Sequence, residues 1–377
     1  MRRKLGQILE RLWGAATLRC IAVRIHNGRK LMLPVAFSFV TVACSPVPSE
    51  KAVNVSVRET VADDDVRVVP SWFRHVDTIV LQEEKSRVVV SPIVARLYQD
   101  TLLVVDVKEW RISLHRKTGE VIWDHSSRGS GPGELELPIA AEITSEGVWV
   151  ADIFNGVFLL DRKSKREIRR LRNGSNAIQG LSALNDSTLI LVGRGPVEKG
   201  RSSWIHALDA RTGKTLWNAL PITESALPPR SVRAFGFASA HKSGGNLVAS
   251  FSLVDTVYIF DEMGREHVKV HAPLVDITGL SQVGSERPDR KVMDKVVRII
   301  GAFSVGDSVV VVSTQRGSAR NPQYGMARIY KSEPLRFEHV QNTPLMIGQT
   351  AGQLIGAFVD PIRPNRLVLL TDKSWSQ

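Results

Sequence analysis

Cysteine is nearly missing from this 377-residue chain: only Cys20 and Cys44 are present. If a leader is removed before Cys44, one thiol remains, which excludes an intramolecular disulfide and a cysteine-built metal site. Apolar residues at helical 3.6-residue spacing are also nearly absent, so short strands have to build the fold. The chain has neither a His-Glu-x-x-His nor a Gly-x-Ser-x-Gly motif. The histidines follow no ligand spacing: His115 and His206 fall in strands, His267 and His271 on an outer strand, and His241 in an expected loop, so all are read as structural. A genuine excess of positive charge is lacking too. The formal charge is +12, but residues 1–43 carry eight basic residues and one acid, leaving 42 basic against 37 acidic residues elsewhere. That balance does not mark a nucleic-acid binder.

What is present begins with the basic leader. It runs into Leu31–Ala43, thirteen residues of which only Ser38 and Thr41 are polar, followed at once by Cys44. A membrane span needs about 20 apolar residues, whereas a secretory h-region needs roughly 7 to 15. Residues 1–43 are therefore expected to be a signal sequence. Thr41-Val42-Ala43-Cys44 resembles a bacterial lipobox, with threonine where leucine is usual. The resemblance implies a lipid on Cys44 and a chain exported to the cell envelope. Residues 44–70 read as the lipidated cysteine and its tether, and residues 71–377 as the folded part.

Beyond the tether, one pattern recurs. Short apolar strands stand at Leu102–Val105, Val148–Ala151, Leu189–Val192, Leu247–Ser250, Val309–Val312 and Leu367–Leu370, spaced 46, 41, 58, 62 and 58 residues apart. Turn-forming pairs precede most of them, and a second strand follows each of the first five, as in Val157–Asp161 and Val257–Asp261. After Lys117-Thr118-Gly119, Arg211-Thr212-Gly213 and Met263-Gly264 a further strand runs outward. Periods of this size are those of propeller blades. The last unit stops early, so Asp77–Glu83 and Arg87–Ser91 are expected to pair with the C-terminal strands and close a six-bladed, all-β propeller.

Gly129-Ser130-Gly131-Pro132-Gly133-Glu134-Leu135, followed by Pro138, must be a shaped loop, because its glycines and prolines suit neither helix nor central strand. With the strand order around it, this segment resembles the bacterial six-bladed β-propellers related to NHL repeats, many of them exported lipoproteins. A second resemblance, in Ala207–Trp217 and partly in Arg116–Trp123, is to quinone-type propeller repeats. It implies a tryptophan docked on the neighbouring blade and allows an eight-bladed outer-membrane assembly scaffold. Those repeats' dehydrogenases use a vicinal cysteine pair that is missing here.

In a propeller, the loops between second and third strands share one face, the mouth, with the blade-to-blade connections. Trp110, Arg111, Arg128, Glu134, Arg194, Arg201, Arg316, Arg320 and Tyr324 are expected on that face and are candidates for holding a protein or an anionic ligand. Asp106 and Asp152, 46 residues apart, are weak candidates for a calcium site and stronger ones for turn caps. The basic run Arg162 to Arg172 reads as a charged outer edge that keeps a sheet soluble, with anionic lipid or lipopolysaccharide as the other possible contact. Ser281–Lys295 is expected to form a short helix or lid. The whole reads as a non-catalytic envelope scaffold without a cofactor. The competing reading is a metal-dependent hydrolase or lyase with the cation near Asp106 and Asp152. Elemental analysis of the purified protein separates the two: stoichiometric calcium or zinc marks the enzyme, and its absence the binding module.

Overall fold

The computed structural model describes residues 59–60, 68–82, 89, 92–171, 177–194, 203–221, 238–243, 246–275, 295–306, 308–317, 323–332, 337–341, 343–350, 353–357 and 366–372. Among them every regular element is a strand. Apart from a short pairing of Glu59–Thr60 with Val68–Val69, the strands form six antiparallel sheets of four. Blade one runs from the inner strand Pro92–Tyr98 through Thr101–Asp106 and Arg111–Arg116 to the outer strand Val121–His125. The inner and outer strands are Pro138–Thr144 and Glu167–Leu171 in blade two, and Ala177–Asn185 and Thr215–Pro221 in blade three. They are Ala238–Ser243 and Glu266–His271 in blade four, and Val297–Val305 and Phe337–Gln341 in blade five. Blade six takes Leu345–Thr350, Gln353–Ala357 and Arg366–Asp372 from the end of the chain, and its outer strand is Phe73–Val80, antiparallel to Arg366–Asp372. The six inner strands touch in chain order around a closed ring, making a six-bladed β-propeller.

The strands are apolar on both sides because each sheet is covered on both sides. In blade two, Val148 and Val150 face the core shared with blade one, whereas Trp149 and Ala151 face the core shared with blade three. This is the period of two expected of a strand, applied to two apolar environments. Six such clusters occur among the described residues, one at each blade-to-blade interface.

Five of the expected repeat strands are the second strands of blades one to five. The sixth is a correction: Leu367–Leu370 belongs to the third strand of blade six, whose second strand is Gln353–Ala357. Of the two N-terminal runs, Asp77–Val80 lies in the outer strand of blade six, while only Val89 of Arg87–Ser91 is among the described residues. Ser281–Lys295 lies outside them except for Lys295, in a turn.

The periphery is fastened by a recurring clamp, in which the outer strand of one blade covers the turn before the outer strand of the next. Gln82 N–H donates to Gly119 O at 2.9 Å, and a Cβ on Gly119 would come within 1.9 Å of Val80 O. Trp217 of blade three donates from its indole to Glu262 O at 3.1 Å and lies over Gly264 of blade four. That is the docking the quinone-type resemblance implies, in a ring of six sheets rather than eight. Blade two has Lys165 at the position of the glycine, with φ +58°, and Lys165 Nζ reaches back to Asp124 of blade one at 3.2 Å.

Gly264 has φ +76°, and a Cβ there would meet the Trp217 ring at 2.4 Å, whereas Gly306 at φ +57° has open space around it. Gly264→Ala is expected to cost about 2–4 kcal/mol from strain plus overpacking, against about 1–2 kcal/mol for Gly306→Ala from backbone strain alone. Denaturant unfolding of the two variants measures the difference.

Candidate functional site

Two places gather chemistry: the axis and the mouth. On the axis, the inner strands place one residue each at the same level, two positions before the last paired residue of the strand. These are Arg96, Glu142, His241, Phe303 and Gly348. In blade three a bulge between Ala183 and Asn185 brings Ser182 to this level. Arg96 Nε donates to Glu142 Oε1 at 3.1 Å, and Nη2 reaches His241 Nδ1 at 2.8 Å. Glu142 also accepts from the Tyr98 hydroxyl and from Ser182. His241 stacks on Phe303, with centroids 4.7 Å apart. Gly348 leaves the room, since a Cβ there would meet Ala95 O at 1.8 Å and Arg96 Nη1 at 3.4 Å.

Blades one and four stand opposite each other in a ring of six, so the Arg96 side chain crosses the axis. The channel at that level is filled by a guanidinium and its partners. A guanidinium only donates, so His241 Nδ1 accepts and the imidazole is neutral with its proton on Nε2. Burial, helped by the Arg96 charge, holds His241 well below the ordinary histidine range. Burial pushes Glu142 upward, opposed by Arg96, Tyr98 and Ser182. It also raises the Tyr98 phenol, with Glu142 adding to the effect.

These axial residues were not singled out in the sequence, and His241, expected in a loop, is in the inner strand Ala238–Ser243. A signal existed. Pro92-Ile-Val-Ala-Arg-Leu-Tyr and Pro138-Ile-Ala-Ala-Glu-Ile-Thr align at 46 residues, with opposite charges at the same place.

At the mouth, the glycine-rich loop is held by both blades it joins. Trp110 donates from its indole to Glu136 O at 2.6 Å, and His125 Nε2 to Gly133 O at 2.7 Å. From blade two, Asn155 Nδ2 donates to Gly129 O at 2.9 Å and Glu134 O at 2.8 Å, and Glu167 accepts from Gly133 N–H at 2.6 Å. Glu134 itself accepts from Gly131 N–H at 2.8 Å, so its carboxylate shapes the loop from within. The exposed Arg128 lies 3.6 Å over the Trp110 ring. Beside the same loop, Phe154 is 58% and Ile153 37% exposed.

The other expected site residues divide. Arg111 is 3% exposed and faces Asp124 at 4.0 Å, so it belongs to the interior of blade one and is not offered to a partner. Arg316 is exposed at the mouth end of blade five, with Tyr324 partly buried on the paired strand. Arg298 beside them donates to Gln315 Oε1 at 2.9 Å, and burial lowers its pKa. The backbone of Arg194 ends the second strand of blade three. Arg201, Arg320 and Cys44 lie outside the described residues.

Asp106 Oδ1 accepts from the N–H groups of Lys108 and Glu109, at 3.0 and 3.2 Å. Asp152 takes four: Phe154 and Asn155 on Oδ1, both at 2.9 Å, and Glu136 and Leu137 on Oδ2, both at 2.8 Å. Their oxygens are thus used as turn and loop caps. No group of three potential metal-ligating side chains occurs among the described residues.

No family model and no curated protein matches the chain. Solved structures do. A Bacteroides fragilis protein named for its inferred export is 14% identical with a TM-score of 0.57, over 83% of this chain and 98% of that one. A member of the DUF4221 family from Bacteroides vulgatus is 11% identical with a TM-score of 0.54, over 79% and 97%. The likeness is one of fold.

The axial layer carries a pH prediction. His115, His125, His241 and His339 are all lowered by burial from the ordinary value of 6.5. Below about pH 6.5 the unfolded chain takes up these protons and the folded chain resists, so this part of the stability is complete above that pH and falls as the pH drops. His241→Asn is expected to flatten the decline between about pH 6.5 and 5 in urea unfolding curves. Parallel curves for the two proteins would contradict the assignment.

Proposed function

We propose that the chain is an exported cell-envelope lipoprotein, anchored through Cys44, whose propeller is a non-catalytic scaffold holding a protein or anionic ligand on its mouth face. The filled axis carries this reading. Ionisable groups gathered at the centre of a propeller could serve chemistry, but here Arg96, Glu142, Ser182 and His241 bond one another across the ring. The mouth, by contrast, presents Arg128, Phe154 and Ile153 around a loop fixed from two blades. Rigid display of a few exposed aromatic and arginine groups suits partner binding, because little freedom is lost on association.

The name of the Bacteroides fragilis relative supports export, and the leader ending in Ala43-Cys44 supports acylation. The Gly129–Leu135 loop supports a place beside the NHL-related propellers. The use of Asp106 and Asp152 as caps weighs against the metal-dependent hydrolase or lyase.

A photo-crosslinking residue at Phe154 is expected to trap a discrete protein adduct in intact cells. The same residue at Met263, 70% exposed at the opposite end of blade four, is expected to trap none. Equal labelling from both positions would remove the mouth assignment. Cys44→Ser is expected to abolish incorporation of labelled fatty acid.

A further inference from the structure

We propose that the face opposite the mouth, over blades one to three, docks on an anionic lipid bilayer. The turns between third and outer strands all lie on that face. In blades one to three they carry Arg116 and Lys117, then Arg162, Lys163, Lys165 and Arg166, then Arg211 and Lys214, every one exposed. Arg116, Lys117 and Lys165 have carboxylate partners in Glu120, Asp100 and Asp124, at 2.9, 3.5 and 3.2 Å. Of the remaining exposed cations in these turns, Lys163 and Arg211 are attracted by the Asp161 and Asp209 carboxylates of their own turns. The acids within these turns, Asp161 and Asp209, cap them by accepting from Ser164 and Thr212 N–H, each at 2.6 Å.

Charge alone would be satisfied by solvent, but an apolar side chain accompanies it at one register. Ile122, Ile168 and Leu216 are each the second residue of an outer strand, immediately after the basic turn, and they are 44%, 55% and 53% exposed. A strand edge kept soluble by charge has no use for three large aliphatic groups in the same place. A bilayer surface does: the cations meet lipid phosphates while the aliphatic groups enter the headgroup layer. In blade four the pattern ends, since the turn there mixes Glu262 and Glu266 with Arg265.

The path of the chain points the same way. Phe73 pairs with Asp372 at the end of blade six where the other blades have these turns, so the polypeptide enters the propeller on the docking face. Cys44 stands 29 residues upstream, a reach of at most about 100 Å. This orientation rests on the anchor proposed above, whereas the charge and apolar pattern stands without it. With an anchor there, the mouth is turned away from the membrane.

All six four-stranded sheets of the described residues lie within residues 73–372, so residues 45–377 contain them and omit the proposed leader and acylation site. This protein is expected to co-sediment with phosphatidylcholine vesicles containing one part in three of phosphatidylglycerol, and not with phosphatidylcholine alone. A basic residue near such a surface contributes about fivefold in partitioning. The combined Arg162→Gln, Lys163→Gln, Arg166→Gln, Arg211→Gln and Lys214→Gln variant is therefore expected to lose binding by about three thousandfold. Ile168→Ser with Leu216→Ser is expected to retain binding at low salt and lose it at moderate salt, where screening weakens the charges. An unchanged unfolding midpoint verifies that each variant is folded, and loss of binding of the unaltered protein at high salt gives the same information without substitution. Equal binding to both vesicle types, or binding indifferent to the five charges, would overturn the proposal. Neither result bears on crosslinking at Phe154, so the failure of one reading is distinguishable from failure of the other.

Discussion

Every four-stranded sheet among the described residues has to bury both of its faces, and that requirement organises everything else. A four-stranded sheet with one wet face could stop after two layers. A sheet apolar on both faces must continue until the stack meets itself. Blade six shares one core with blade five, containing Phe303 and Leu370, and another with blade one, containing Ile79 and Leu102. The outer strands keep one free edge each, so joining the two ends of the chain completes the packing of faces rather than removing edges. The peripheral clamps at Gly119, Lys165 and Gly264 then fix how far each blade turns against the next.

Packing around an axis brings six inner strands close together, and only certain residues fit. The level that includes Gly348, Ser182 and the flat rings of His241 and Phe303 also admits one long side chain, Arg96. An ion pair in such a place is weak support for stability, because desolvation of both charges offsets their attraction. Its clearer effect is on specificity: only one alignment of the opposed blades satisfies the guanidinium, the carboxylate and the imidazole together. The two ends of the ring differ in character. One displays aromatic and apolar groups around a rigid loop, and the other bears basic turns with an aliphatic residue behind each.

The second and third strands were legible in the sequence because they are uniformly apolar and β-branched and follow turn pairs, as in Val148–Ala151 after Glu146-Gly147. The inner strands were not, since closeness to the axis selects alanine, glycine and serine. Ala177–Asn185 was not singled out, and His241 of Ala238–Ser243 was expected in a loop. Blade six is the exception among second strands: Gln353–Ala357 is short and ends in Gly356 and Ala357, and the repeat was placed instead on Leu367–Leu370 of the third strand. The mouth residues were found by loop position, which identifies the face but not the direction of a side chain. Arg111 was therefore included although it points into its own blade. Arg96, Glu142 and His241 are distant in sequence, and their meeting depends on the ring being closed.

The strand Phe73–Val80 is made early and its partner Arg366–Asp372 at the far end, about 290 residues later. Joining ends so far apart carries a chain-entropy cost on the order of 5 kcal/mol before any compensating contact forms. Synthesis therefore runs nearly to completion before the last blade can assemble. Until then the nascent polypeptide has an incomplete sixth sheet and two uncovered apolar faces, a state with far less resistance to unfolding than the finished ring.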